Sequence, residues 1–213
     1  MPSEGTAAEL IPVRPSVKRL REAAAGCRAC PLWEDATQTV FGAGGPSARL
    51  MLVGEQPGDR EDREGKPFVG PAGRVLDEAL EAAEIERREV YVTNAVKHFK
   101  WKPAGKRRLH QTPRANEIEA CRPWVEAELA TVKPEALICL GATATRSLLG
   151  SKVKVTKDRG TLIESPLAAL VGVTVHPSSI LRVRDDDERQ IAREELAADL
   201  AFIARELDRA ARG

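Results

Sequence analysis

Four short apolar runs, alternating with segments of helical period, constrain this chain more than any other feature. ARLMLVG (48–54), VYVTNAV (90–96), EALICLG (135–141) and LVGVTV (170–175) read as buried strands. PAGRVLDEALEAAE places Val75, Leu76, Ala79, Leu80 and Ala83 on one helical face, and EIEACRPWVEAELATV and ATATRSLLG read as further helices. Pro15-Ser16 opens a capped helix that ends at Gly26, and the chain from Asp186 onward reads as a charged amphipathic helix. Pro123 must sit in a first turn or force a break. A long loop is expected from Glu55 to Gly70, and a basic loop from about 97 to 113. This alternation predicts an α/β fold with a mainly parallel sheet.

Open parallel sheets bind ligands at the carboxyl ends of their strands. Those ends are Gly54-Glu55-Gln56-Pro57-Gly58, Thr93-Asn94, Gly141-Ala142-Thr143 and His176-Pro177-Ser178-Ser179. GEQPG is a tight turn whose exposed amides can cradle an anion or approach a flat ligand, and it is equally a plain structural turn. Phe68, between glycine-rich flanks, is either a core plug or a platform on which a base stacks. The Asn94 carboxamide pairs a donor with an acceptor, as base-edge recognition requires, although strand-end asparagines also form turns. A neutral His176 can donate to an oxyanion, and Ser178 and Ser179 can contact phosphate. Taken alone, His176 also fits a hydrogen-bonded core histidine.

The charge balance, 33 basic against 32 acidic residues, says little about partners. Its distribution says more. Lys97, Lys100, Lys102, Lys106, Arg107, Arg108 and Arg114 fall in one stretch without a single acid, with His98 and His110 among them. Such a local excess is a footprint for phosphate, or else a solvated basic loop. His110 follows Arg107-Arg108 closely enough for the arginines to hold phosphates while the imidazole reaches a sugar.

Cys27 and Cys30 form a C-x2-C pair, which Cys121 and Cys139 would complete as a four-thiolate set. Zinc and an iron–sulfur cluster both remain open on spacing alone, as does a redox pair with two buried thiols. No apolar run approaches the roughly 20 residues of a membrane span. The first residues carry neither a basic nor an apolar leader segment, so a cytoplasmic location is expected. Residues 1–15 are expected to form a flexible tail, and 16–213 a single domain.

Taken in order, CRACP, GEQPGDREDREGKPFVGPAGRVLD, YVTNAVKHFK, KRRLHQTP, EACRPW, ICLGATA and VTVHPSS resemble the bacterial and archaeal iron–sulfur uracil-DNA glycosylases called family 4. The glutamine of GEQPG and the KRRLH loop resemble the UdgX branch more closely. The resemblance implies a three-layer α/β/α fold with a four-stranded central sheet. It also implies a structural [4Fe–4S] cluster on Cys27, Cys30, Cys121 and Cys139. Carried over by motif, Phe68 stacks on a flipped uracil, Asn94 reads its pairing edge, His176 donates toward O2, and the backbone around Glu55 and Gln56, with Gly54, lines the pocket. Lys106, Arg107, Arg108, Ser178 and Ser179 are expected to contact DNA. Glu55 stabilises the cationic sugar, and in the UdgX branch the histidine matching His110 attacks C1′ and stays attached.

The expected substrate is uracil-containing DNA, single-stranded, acted on by a monomer with no protein partner and no membrane. Three competing readings differ from this one. They are a turnover glycosylase that releases an abasic site, a non-catalytic iron–sulfur DNA-binding module, and a redox protein using Cys27 and Cys30.

Overall fold

The structure, a computed structural model, describes residues 5–212. Six strands are present among them: β1 (Leu50–Gly54), β2 (Val90–Asn94), β3 (Trp101–Ala104), β4 (Arg107–His110), β5 (Ala136–Leu140) and β6 (Leu170–Thr174). The α-helices are α1 (Val17–Ala24), α2 (Asp59–Glu64), α3 (Pro71–Ala82), α4 (Ala115–Val132), α5 (Gly141–Leu149), α6 (Val155–Asp158), α7 (Pro177–Ile180) and α8 (Asp186–Arg212). The central sheet runs β2-β1-β5-β6 with every pair parallel.

Side chains alternate across each strand, and the two faces collect different helices. Leu50, Leu52, Val90, Val92, Ile138 and Leu140 pack beneath α3 and α8. Along α8, Leu196, Leu200, Ile203 and Leu207 recur at helical spacing and are buried, worth about 1.5–3 kcal/mol each when fully covered. On the other face Met51, Val53, Tyr91, Leu137, Cys139, Val171 and Val173 meet Val125, Leu129 and Val132 of α4 and Ala144 of α5. The result is the three-layer α/β/α arrangement. No helix among the described residues is long and apolar enough to cross a membrane.

Local expectations fail in four places. The stretch expected to be a flexible tail contains a 3₁₀ turn at Ala7–Leu10 whose Ala7 is fully buried; residues 1–4 of that stretch lie outside the described ones. The loop expected from Glu55 to Gly70 contains α2, whose first turn carries Asp59, Glu61 and Asp62, carboxylates that suit a helix N-terminus. The basic loop is a β3–β4 hairpin with antiparallel register, Trp101 opposite His110. Pro123 lies inside an unbroken α4. The carbonyl it leaves without a donor belongs to exposed Glu119, which solvent can reach.

Candidate active site

From β1 the chain order steps outward to β2 on one side and to β5 and β6 on the other. The crevice between β1 and β5 is therefore a topological switch point, the place where open parallel sheets hold ligands. Glu55 leaves the end of β1, Thr143 lies in the first turn of α5 after β5, Asn94 closes β2, and His176 follows β6. Thr143 Oγ1 donates to Glu55 Oε2 across that crevice.

Gly54 is the floor of the site. A Cβ placed there would lie 2.5 Å from Asn94 Oδ1, 2.7 Å from Phe68 Cζ and 3.3 Å from His176 Nε2. Three groups of different chemistry thus converge on one point of bare backbone. The Phe68 ring lies 6.0 Å from that of His176, inclined by 28°. Phe68 itself has φ of 55°, unusual for a residue with a Cβ. The packing around it holds that conformation: a Cβ on Gly73 would fall 1.9 Å from the Phe68 carbonyl oxygen, so α3 crosses directly against this turn. Glu61 braces the same loop, its buried carboxylate accepting from Gly58 N at 3.1 Å and from Gly70 N at 2.6 Å.

Two polar atoms in the pocket are buried and have no partner: Asn94 Oδ1 and His176 Nε2. Unpaired buried groups cost about 1–3 kcal/mol each, so a native pair aimed at one point reads as a ligand's place. The protonation of His176 follows from its other nitrogen. Nδ1 accepts from the Ser178 backbone N–H at 3.2 Å, which leaves the proton on Nε2. Burial pushes the His176 imidazolium down to about 4, against the opposing pull of Glu55, so the ring is neutral near pH 7. The pocket therefore offers one acceptor, one neutral N–H donor and one flat apolar face.

Glu55 is the charged group beside it. Burial opposes its ionisation, but hydrogen bonds from His110 and Thr143 outweigh that cost and lower its pKa. His110 Nε2 lies 3.2 Å from Glu55 Oε1, and the His110 side chain is 49% exposed. The imidazole thus stands at the mouth of the pocket, with one side on the carboxylate and the other toward solvent.

The hairpin that carries His110 is anchored from both ends. Arg108 Nε sits 2.5 Å from Asp59 Oδ1 and its NH1 2.6 Å from buried Asp62 Oδ2, while its guanidinium lies over the rings of Phe99 and Trp101. At the hairpin root, Gln56 Nε2 donates to the carbonyls of Lys100 and Gln111, and Lys100 N donates back to Gln56 Oε1.

Several expected roles change accordingly. The Gln56 amide is taken up by Lys100 and Gln111 at the hairpin root. Arg108 is a structural tie between carboxylates and not a free phosphate contact. Lys97 is fully buried against Glu128, and Lys100 pairs with Glu117. Ser178 Oγ bonds the His176 ring, and Ser179 Oγ donates to the His176 carbonyl, so both serines hold the histidine. Lys102, Lys106, Arg107 and Arg114 remain exposed. In the sequence Thr143 is named only as part of a strand end, without a role, and Glu61 is not singled out at all. Thr143 stood at a strand end where its hydroxyl had a signal; Glu61, in a run of acids, had none.

The cysteines divide. Cys27, Cys30 and Cys121 share one core cluster with Trp124. Burial pushes the Cys30 thiol up to about 11, with Cys27 adding to the rise, and the Cys121 thiol up to about 12, with Cys27 and Cys30 both contributing. Cys139 lies in mid-strand on β5, opposite Val53 and Val173, in the layer packed against α4 and α5, and burial alone raises its thiol. The expected fourth thiolate is thus not brought to the other three. The strand register decides this, because Cys139 points into the sheet–helix interface. A single ion would draw its ligands to within roughly 2.0–2.3 Å of one point. No three His, Cys, Asp or Glu side chains meet that way among the described residues. An iron–sulfur cluster spreads its thiolates more widely, and the three grouped cysteines fit that demand.

The profile of the uracil DNA glycosylase superfamily matches residues 41–201. A type-4 uracil-DNA glycosylase of Thermotoga maritima is 39% identical over 84% of this chain and 91% of its own length. One from Pyrobaculum aerophilum is 34% identical over 91% of this chain and 96% of its own. A third, from Sulfurisphaera tokodaii, is 37% identical over 68% of this chain and 65% of its own.

Proposed function

Since the chain belongs to the uracil DNA glycosylase superfamily, we propose that it excises uracil from DNA and captures the resulting sugar covalently on His110. The observation that carries capture is the 3.2 Å contact between His110 Nε2 and Glu55 Oε1 at the pocket mouth.

A target base must leave the stack, at a cost of a few kcal/mol that is least in single strands. Phe68 receives the flat face of the extruded uracil. Asn94 Oδ1 accepts from uracil N3–H, where cytosine would present a second acceptor. His176 Nε2–H donates to O2. The C1′–N1 bond then breaks with its electron pair moving onto the ring, and a fixed neutral donor at O2 stabilises that charge as it grows. The cationic sugar faces the Glu55 carboxylate. His110 Nε2 passes its proton to Glu55 and bonds C1′ with the lone pair so freed, and the departing uracil anion takes a proton from solvent.

Lys102, Lys106 and Arg107 hold the flanking phosphates. We propose a [4Fe–4S] cluster on Cys27, Cys30 and Cys121; when bound, it ties the loop after α1 to α4, a structural contribution only.

The test is to mix the protein with a uracil-containing single-stranded oligonucleotide and run a denaturing protein gel. A protein-plus-DNA band is expected, absent with thymine in place of uracil and absent in His110→Ser. A band that persists in His110→Ser removes His110 from the role. Alkali-labile strands without any band would mean turnover in place of capture. Neither signal would leave a DNA-binding module.

A further inference from the structure

The two oxygens of the Glu55 carboxylate have different partners. Oε1 lies 3.2 Å from His110 Nε2 on β4, and Oε2 accepts from Thr143 Oγ1 in the first turn of α5. Resting on the capture reading above, we propose that Thr143 is the positioning residue of the capture step: it holds Oε2, so that Oε1 stays turned toward His110 to receive its proton.

A carboxylate needs such a hold. The last torsion of a glutamate side chain has broad wells, so a single contact leaves the plane of the two oxygens loosely set. A second contact, from an element independent of the hairpin, fixes that plane. Helix α5 is such an element. Its Ala144 is buried in the layer packed against the sheet, and Thr145 Oγ1 donates to the Gly141 carbonyl at 2.9 Å, on the turn that carries Thr143. Thr143 itself is half-buried, and its branched Cβ restricts χ1. Its hydroxyl has one proton to give, and Glu55 takes it. The carboxylate therefore bridges a helix seated on the sheet and an imidazole that arrives on the hairpin.

The same hydrogen bond acts on charge. The side chains that bear on the carboxylate are His110 from β4, Thr143 from α5 and His176 from the turn after β6. Burial disfavours the ionised form, and the hydrogen bonds from His110 and Thr143 outweigh it. Removing the hydroxyl favours the protonated form, which cannot accept from His110. The pH below which capture fails must then rise. Uracil release draws on the charge of Glu55 but not on which oxygen faces His110, so it depends less on Thr143.

The experiment follows full-length protein in single turnover on a uracil-containing single-stranded oligonucleotide, from about pH 5 to pH 8. Total uracil released and protein–DNA crosslink are read from the same samples, beside the melting temperature of each variant. Thr143→Val is expected to slow the crosslink on the order of 10²-fold at pH 7, with uracil release falling less than about tenfold. The acid limb of its crosslinking rate should lie at higher pH than that of wild type. Thr143→Ser, which keeps the donor, should restore rate and limb. Thr143→Ala repeats the test should the valine variant melt early. A wild-type crosslinking rate and limb in Thr143→Val, or equal losses of release and crosslink with an unmoved limb, overturns the positioning role and leaves capture standing. A serine variant as slow as the valine one overturns it too, since packing and not the donor would then matter. Wild type that releases uracil without any crosslink overturns capture itself, and the assignment with it.

Discussion

Lys97 Nζ and Glu128 Oε2 lie 2.5 Å apart, and neither side chain has any solvent exposure. The ammonium also donates to the Asn94 carbonyl at 2.8 Å, and the carboxylate accepts from Tyr91 OH, Thr93 Oγ1 and Gly42 N. The pair thus stands directly behind Asn94, the residue proposed to read the base. Removing one partner leaves an uncompensated buried charge. Lys97→Met is expected to destabilise the fold by about 3–5 kcal/mol in urea titration. Lys97→Met combined with Glu128→Leu should lose much less than the two single effects added together. Full additivity would mean the two groups do not act as a pair.

Gly54→Ala should close the base pocket without unfolding the protein. Its Cβ would fall 2.5 Å from Asn94 Oδ1 and 2.7 Å from Phe68 Cζ, the atoms that would meet the ligand. Uracil release from a single-stranded oligonucleotide is expected to drop on the order of 10²-fold, with a melting temperature within a few degrees of wild type. Undiminished release would place the base elsewhere.

Arg108→Gln is expected to separate excision from capture. The substitution cuts the ties to Asp59 and Asp62 that seat the hairpin, while Phe68, Asn94 and His176 keep their own supports. A misplacement of about 1 Å in His110 should slow the crosslink on the order of 10²-fold. Uracil release should fall much less. Equal losses in both would show that the hairpin positions the whole pocket.

His176 predicts an acid limb in stability. Its folded value, pushed down to about 4 by burial, lies below the ordinary 6.5. The unfolded chain therefore binds the proton first, and stability that is fully present above pH 6.5 is lost as pH falls toward 4. The expected loss is of order 3 kcal/mol at most. Denaturant titrations from pH 7 to 4 should show a shallower decline for His176→Gln than for wild type. Parallel declines would mean the imidazole is not buried neutral.

Much of the fold and part of the site were legible in the chain itself. Apolar runs of strand length, alternating with amphipathic segments, specify a parallel sheet covered on both faces, because only that arrangement buries both sides of such strands. Gly54, Glu55, Asn94 and His176 could be assigned to one edge for the same reason: parallel strands bring their carboxyl ends together. Helix α2 was missed because its sequence, DREDRE, has no apolar face, and its order comes from Glu61 and Asp62 reaching partners outside the helix.

What each group does was decided only in three dimensions. A run of seven basic residues has one appearance on paper, yet Lys97, Lys100 and Arg108 meet acids from α4 and α2 while Lys102, Lys106 and Arg107 stay exposed. Cys139 completes a four-cysteine count but faces the helix layer, because the pleat of β5 orients it there. His98, one histidine of the basic run, is buried with its Nδ1 unpartnered. Residue type and local periodicity determine which elements form and which chemistries are on hand. Pairing across the fold determines which charges are neutralised, which lone pairs stay open and which side chains share a site, since those energies depend on contacts between residues far apart in the chain.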